Sequence, residues 1–333
     1  MWYKRPYNFF IYSSLMIIVT GGAGFIGSNI VAALEKAGKK DLVVVDELGS
    51  SDKWKNIAKR ELCAVIPPED MLDYMEAHAE EIEAVIHMGA ISATTETDAD
   101  LIIRTNFTLS WRLWEFCALY GKQFIYASSA ATYGDGSMGF DDDSSLEHVN
   151  ALRPLNAYGW SKALFDRKVA REVKEGRPVP PQYAGLKFFN VYGPNEYHKG
   201  GQKSVVAHIF PQVKVNETVK LFKSYHPDYR DGWQLRDFVW VGDCVNVVLW
   251  LLDHPEVSGL FNVGSGEARS FYDLAKAAFN ALGLQEKIAY REMPEELKGK
   301  YQYYTQADLS RLRAAGYAAP LSLIHISEPT RRS

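Results

Sequence analysis

Four short apolar runs mark the first half of the chain: Met16-Ile-Ile-Val-Thr20, Leu42-Val-Val-Val-Asp46, Ala84-Val-Ile-His-Met88 and Gln123-Phe-Ile-Tyr-Ala127. Each is apolar along its length rather than at alternate positions, the pattern of strands buried on both faces. Between them the period changes. Residues 25–37 set Ile26, Ile30, Val31 and Leu34 at helical spacing, and Gly38 ends the stretch. Residues 101–120 are expected to form one long helix, with Trp111 and Trp114 in the core. Strands alternating with helices predict an α/β fold, a doubly wound parallel sheet covered on both faces. After about residue 190 the segments shorten and Pro, Gly and Tyr become frequent, which suits a smaller second α/β unit built from insertions. No internal repeat is present.

The two ends do not share this pattern. Residues 1–15 are aromatic-rich, with Lys4 and Arg5 near the start, and run straight into the first strand. Cleavage of a leader there would damage the glycine motif that follows, so the stretch is read as an upstream extension before a native start at Met16. Residues 321–333 follow neither helix nor strand periodicity and resemble a translated cloning sequence.

Composition narrows the class. Of 333 residues, 47% are hydrophobic and 23% charged, which excludes a disordered chain, a collagen-like repeat and a coiled coil. The net charge of −4 lacks the basic excess of a nucleic-acid binder. No apolar run reaches the roughly 18–20 residues that span a bilayer. Cys63, Cys117 and Cys244 are far apart and lack metal-ligand spacing, which points to a reduced, cytoplasmic protein without a metal site. Asp141-Asp-Asp143 is expected to be a solvated loop, His87 a packing residue, and His254 and His325 surface residues.

The first chemistry lies in Thr20-Gly-Gly-Ala-Gly-Phe-Ile-Gly27, which contains both Gly22-x-Gly24-x-x-Gly27 and Gly21-x-x-Gly24-x-x-Gly27. The glycines permit a tight turn and let the backbone approach a pyrophosphate seated at a helix N-terminus. The motif follows a strand and opens a helix, and Asp46 ends the next strand 19 residues after Gly27, the context that marks a dinucleotide site. A carboxylate at Asp46 favours the free ribose hydroxyl of NAD. Lys53, Lys55, Lys59 and Arg60 follow closely, and any of them could reach the 2′-phosphate of NADP. These residues alone leave both cofactors open.

The second constellation is Ser129 with Tyr158 and Lys162. Tyr158-Gly-Trp-Ser-Lys162 sets a Tyr and a Lys at i and i+4 on one helical face. A free phenol titrates near 10, too high for a base at neutral pH, but a neighbouring ammonium favours the phenolate. Ser129, at a strand end, could hydrogen-bond the same substrate oxygen.

With these three features the chain resembles the extended short-chain dehydrogenase/reductases, from about residue 16 to 320. The carrying strings are the glycine turn, Ser128-Ser129-Ala-Ala-Thr-Tyr133-Gly and Tyr158-x-x-x-Lys162. Among these nucleotide-sugar enzymes it is most similar to the group of ADP-heptose 6-epimerases. That likeness rests on His87-Met-Gly-Ala-Ile-Ser-Ala-Thr-Thr-Glu96, Phe189-Asn-Val-Tyr-Gly-Pro-Asn-Glu-Tyr-His198-Lys199-Gly, Arg236-Asp-Phe-Val and Lys298-Gly-Lys-Tyr301-Gln-Tyr-Tyr-Thr-Gln306-Ala-Asp-Leu.

The resemblance implies a Rossmann cofactor domain over 16–188, also receiving about 237–262, and a substrate domain from 189–236 and 263–320. It implies transient oxidation at C6″ by bound NADP, with hydride returned to the opposite face. Tyr158 and Lys199 are then the acid/base pair, Lys162 supports Tyr158 and holds the nicotinamide ribose, and Ser129 polarises the reacting oxygen. The implied cofactor contacts are Gly21, Gly22, Ala23, Gly24, Phe25, Ile26, Gly27, Asp46, Glu47, Lys53, Met88, Gly89, Ala90, Asn106, Tyr158, Lys162, Val191 and Lys199. The implied substrate contacts are Ser129, Asn190, Ser204, His208, Phe222, Arg236 and Tyr301. The implied partners are an ADP-sugar and further copies of the chain, as a homo-oligomer, a pentamer, with neither nucleic acid nor membrane.

The chain also departs from that pattern. Glu47 stands where one form of the group has Asn, and Pro67-Pro68 stands near a second phosphate-side lysine, yet Lys53 keeps NADP ahead of NAD. Lys203 adds a cation beside the second base, and residues 224–235 make a longer loop than expected. The alternatives are a UDP-hexose 4-epimerase type using NAD, a 4,6-dehydratase, and a cofactor-sensing protein without catalysis. Ala130-Ala131-Thr132 carries no carboxylate and argues against the dehydratase. The intact Ser129, Tyr158 and Lys162 set argues against the last.

Overall fold

The computed structural model describes residues 15–295, 298 and 301–321. All but one residue of each expected terminal extension, and His325, lie outside that set. In chain order the elements are β1 (Met16–Thr20), α1 (Phe25–Lys36), β2 (Leu42–Val45), β3 (Ala64–Ile66), α2 (Met71–Ala77), β4 (Ile82–His87), α3 (Ala99–Ile102), α4 (Leu109–Tyr120), β5 (Gln123–Ser129), α5 (Leu146–Ala151), α6 (Ala157–Lys174), β6 (Tyr183–Phe188) and β7 (Asn190–Tyr192). There follow α7 (Val205–Lys214), β8 (Val219–Phe222), β9 (Leu235–Trp240), α8 (Val241–Asp253), β10 (Gly259–Val263), β11 (Ala268–Ser270), α9 (Phe271–Ala281), β12 (Ile288–Arg291) and α10 (Ser310–Ala314).

Among the described residues, seven strands form one parallel sheet in the order β10-β6-β5-β4-β1-β2-β3. β1 is an interior strand next to the central β4; all five of its residues are buried, and successive side chains serve opposite faces. Ile17 and Val19 pack with Ile30, Val31 and Leu34 of α1 and Val247, Val248 and Leu251 of α8. Met16 and Ile18 pack with Trp114 of α4 and Phe165 of α6. Fully burying one such side chain stabilises the fold by about 1.5–3 kcal/mol, so a strand apolar throughout is committed to the interior. The strand order reverses between β1 and β4, and in sheets of this kind a ligand crevice opens at such a switch.

β7, β9 and β11 make a three-stranded sheet, and β8 pairs with β12. These strands share a separate core of Tyr192, Ile209, Val213, Leu221, Phe238, Leu274 and Phe279.

Several expectations are corrected. The helix expected over 101–120 begins at Ala99, and between α3 and α4 the backbone widens into a π turn over Ile103–Thr108. Trp114 is buried as expected, whereas Trp111 is only partly covered and carries the Lys168 ammonium 4.1 Å from its ring centre. His254 stacks on Trp250 and bonds its carbonyl oxygen. Asp142 is not solvated: its side chain is 1% exposed and accepts from the Asn262 backbone N–H at 2.6 Å. Burial pushes that carboxyl up to about 6, against the pull of the backbone bond and of Arg311.

Candidate active site

The C-terminal ends of β1, β4 and β5 open onto one cavity of about 810 Å³. The turn after β1 forms its floor. Gly21 has φ +64°, and a Cβ there would stand 2.6 Å from the Gly89 nitrogen; one on Gly27 would stand 2.1 Å from the Gly21 oxygen. Only glycine fits these two positions. No side chain caps α1, so the amides of its first turn remain for an anion. Asp46 receives the Ala23 backbone N–H at 2.9 Å and the Lys53 ammonium at 2.5 Å. Lys53 also donates to the Glu47 carbonyl at 2.9 Å. Of the four cations that follow Asp46, Lys53 lines the cavity, while Lys55 pairs with Asp52 and Arg60 with Glu35. A glycine cradle, an open helix N-terminus and a carboxylate at the second strand end suit a dinucleotide.

The second wall descends from β5 and α6. β5 ends at Ser129, whose side chain accepts from the Ala131 backbone N–H at 3.1 Å. α6 starts at Asn156, which caps it by accepting from Gly159 N–H at 2.8 Å, and the next two turns bring Tyr158 and Lys162 to one face. Tyr158 is half-buried and shares a hydrogen bond with Ser129. Burial raises its phenol above the ordinary value near 10, and the Ser129 bond opposes this. Lys162 is buried and donates to the Ala127 carbonyl at 2.7 Å. Burial pushes its ammonium down to about 8, against the pull of Asp166.

A third wall comes from the loop after β7. Glu196 organises it, accepting from Gly193 N–H, Ser204 N–H and Ser204 Oγ at 3.1, 2.5 and 2.7 Å. Lys199 lies on this loop with its ammonium 5.2 Å from the centre of the Phe25 ring, and burial lowers its proton affinity while Glu196 opposes. The loop is fastened to the nucleotide half. Asn29 donates to the Pro194 carbonyl at 3.1 Å, and Asn195 donates to Ser28 Oγ at 3.0 Å. Asn56 bonds the Ala23 carbonyl at 2.8 Å and meets His198 Nδ1 at 3.3 Å.

The cavity therefore gathers Gly21, Gly24, Phe25, Ile26, Gly27, Asp46, Glu47, Lys53, Met88, Gly89, Ala90, Ser129, Tyr158, Lys162, Asn190, Val191, Lys199 and Ser204. Gly22, Ala23 and Asn106 stand outside its lining. Asn106, on the π turn, accepts from Ile91 N–H at 2.8 Å and donates to Ile91 O at 2.9 Å, holding the loop that follows β4. His208, Phe222, Arg236 and Tyr301 are also outside the lining. Arg236 is buried between Phe271 and Tyr301, its guanidinium 5.8 and 4.9 Å from their ring centres. His198, Gln202 and the loop Ile91-Ser-Ala-Thr94 line the cavity without having been assigned from sequence. The string from His87 to Glu96 was the one signal that pointed at that loop.

Residues 17–264 match the NAD dependent epimerase/dehydratase family. The chain is 50% identical over 305 residues to an ADP-L-glycero-D-manno-heptose-6-epimerase of Nitratidesulfovibrio vulgaris, covering 90% of this chain and 92% of that one. It is 49% identical over 310 residues to the protein of the same name from Fusobacterium nucleatum, covering 91% and 92%. Among solved structures, the Helicobacter pylori ADP-L-glycero-D-manno-heptose-6-epimerase superposes with a TM-score of 0.75 at 28% identity, covering 93% and 92%. The Thermus thermophilus UDP-glucose 4-epimerase in complex with NAD superposes with a TM-score of 0.69 at 26% identity, covering 91% and 94%.

Proposed function

The chain belongs to the NAD dependent epimerase/dehydratase family, and from that premise we propose that it interconverts ADP-D-glycero- and ADP-L-glycero-D-manno-heptose by inversion at C6″. The observation that carries this reading is half identity to enzymes of that name along nine-tenths of the chain. It is supported by a cavity whose walls bear Tyr158 with Ser129 on one side and Lys199 on another.

A nicotinamide cofactor, when bound, takes a hydride from the substrate carbon and returns it. The glycine turn and the N-terminus of α1 would hold its pyrophosphate, and Asp46 and Lys53 its adenosine end. In the first half-reaction Tyr158, as phenolate, removes the C6″ hydroxyl proton while Ser129 hydrogen-bonds the same oxygen. The Lys162 ammonium favours that phenolate. After the ketone has turned over in the site, its oxygen faces Lys199, which protonates it as the opposite configuration forms. One proton passed back between the two groups through solvent restores the pair. Interconversion of either pure epimer without added cofactor, followed by nuclear magnetic resonance, is the expected result. A protein that leaves both epimers unchanged yet turns over UDP-hexoses would overturn the assignment.

We propose NADP as the cofactor, because Lys53 stands beside the ribose-side carboxylate, where a 2′-phosphate would displace that carboxylate as its partner. Lys53→Ala should weaken NADP binding by about ten- to a hundredfold, the value of one hydrogen bond to a charged group, and barely change NAD binding. Equal losses for both cofactors in a fluorescence titration would remove the argument, and NAD alone released on denaturing the purified enzyme would reverse it. On the same reading residues 16–188 with 237–262 form the cofactor part and 189–236 with 263–320 the substrate part. The enzyme works in the cytoplasm as a homo-oligomer, a pentamer, which sedimentation velocity tests.

A further inference from the structure

Behind Ser129 and Lys162 lies a buried charged group that the mechanism above does not use. Lys187 of β6 and Asp166 of α6 are each 1% exposed, with Nζ and Oδ2 3.2 Å apart. Lys187 also donates to Thr132 Oγ1 at 2.7 Å and lies 4.6 Å from the centre of the Tyr133 ring. Asp166 accepts from Ser128 Oγ at 2.7 Å and from the Tyr126 hydroxyl at 3.3 Å. The Thr132 hydroxyl in turn donates to the Ser129 carbonyl at 2.8 Å. With Lys162 on the Ala127 carbonyl, four consecutive residues of β5, Tyr126 to Ser129, are each held by this assembly.

A buried ion pair seldom adds net stability over well-packed apolar side chains, because desolvation offsets the attraction. Leucine or valine would fill the same space. What apolar residues would not supply is charge next to the catalytic helix: Asp166 lies one turn after Lys162, and its charge opposes the loss of the Lys162 proton that burial promotes. Lys187 holds the same carboxylate at 3.2 Å.

We propose that Asp166 and Lys187 are positioning residues that set the charge felt at Tyr158 and Lys162, Asp166 as the counter-ion of the buried Lys162 ammonium and Lys187 as the second cation that tempers it. The inference rests on the assignment of Tyr158 and Lys162 as the acid/base machinery. Lys162 also faces the Ala127 carbonyl of β5 and His87 from β4. His87 is held neutral, its pKa pushed down to about 3 by burial first and by Lys162 second.

The test is the pH profile of kcat for Asp166→Asn, Lys187→Gln and the double variant. Removing an anion lowers every neighbouring proton affinity and removing a cation raises it. Both limbs should therefore move to lower pH in Asp166→Asn and to higher pH in Lys187→Gln, by about one unit, the shift that one charge about 12 Å away exerts at an effective dielectric near 20. The double variant should bring both limbs back toward the wild-type position, since the pair is neutral either way. Each charge is removed in two backgrounds, so both signs are measured even if one single variant does not fold. Limbs that stay in place while kcat falls, or that move the same way in both single variants, would show a packing role only and overturn the proposal. Wild-type turnover by Tyr158→Phe would instead remove the assignment beneath it.

Discussion

Tyr158→Phe is expected to fold as the wild type does and to lose about 10²–10⁴-fold in kcat, the usual contribution of a positioned acid/base group. The ring stays in place because α6 is capped by Asn156 and packed through Phe165 and Val169, neither of which depends on the hydroxyl. What disappears is the oxygen that hydrogen-bonds Ser129 and, on the proposed mechanism, receives the substrate proton. Burial makes this phenol a poor acid and the Ser129 bond opposes that, so the proposed role also needs the Lys162 ammonium to favour the phenolate. Lys162, held near 8 by burial, is the group nearest to losing that cation as pH rises. The alkaline limb of kcat should therefore reflect Lys162, and activity should decline above about pH 8 as the ammonium deprotonates. Steady-state kinetics on either epimer decide the role: a variant keeping more than about a third of wild-type turnover, well inside that range, rules it out.

Lys199→Met is expected to have a comparable effect with a different signature. An epimerase that delivers hydride to both faces must deprotonate and reprotonate one oxygen from two directions. Tyr158 is fixed on a helix and, on the proposed mechanism, serves one of them. Lys199 approaches from the loop after β7, over Phe25, and burial has already lowered its proton affinity toward the useful range. Loss of a base lowers turnover by about 10²–10⁴-fold and leaves nucleotide-sugar affinity nearly intact. Loss of a diphosphate contact would do the reverse, raising the dissociation constant while saturated turnover stayed normal. Measuring both constants on the same ADP-heptose, beside Tyr158→Phe, separates the two, and normal saturated turnover would sink the two-base mechanism.

The parts of this fold legible from sequence are those written in one segment. β1, β2, β4 and β5 stand where continuous apolar runs predicted them, because a strand buried on both faces leaves no other pattern. The glycine turn is equally local, as are Tyr158 and Lys162, which share a face by helical arithmetic. The features that escaped depend on distant partners. Asp142 sits in a triple-aspartate run that reads as solvated, and its burial follows from an Asn262 N–H that needs an acceptor 120 residues away. The π turn exists where Asn106 bonds both backbone groups of Ile91, a contact no periodicity announces. Lys187 and Asp166 belong to different elements, and neither carries a motif. Arg236, expected among the substrate ligands, has its guanidinium 5.8 and 4.9 Å from the ring centres of Phe271 and Tyr301, a placement no motif announces.

The loop bearing Lys199 is chained to the nucleotide half by Asn29, Asn56 and Asn195, although in sequence it follows the first strand of the other sheet. Both groups proposed to transfer protons are thus tied to the half that bears the glycine turn. The elements around β8, β12 and the long loop over 224–235 carry neither. That outer segment can therefore be rewritten without moving either group.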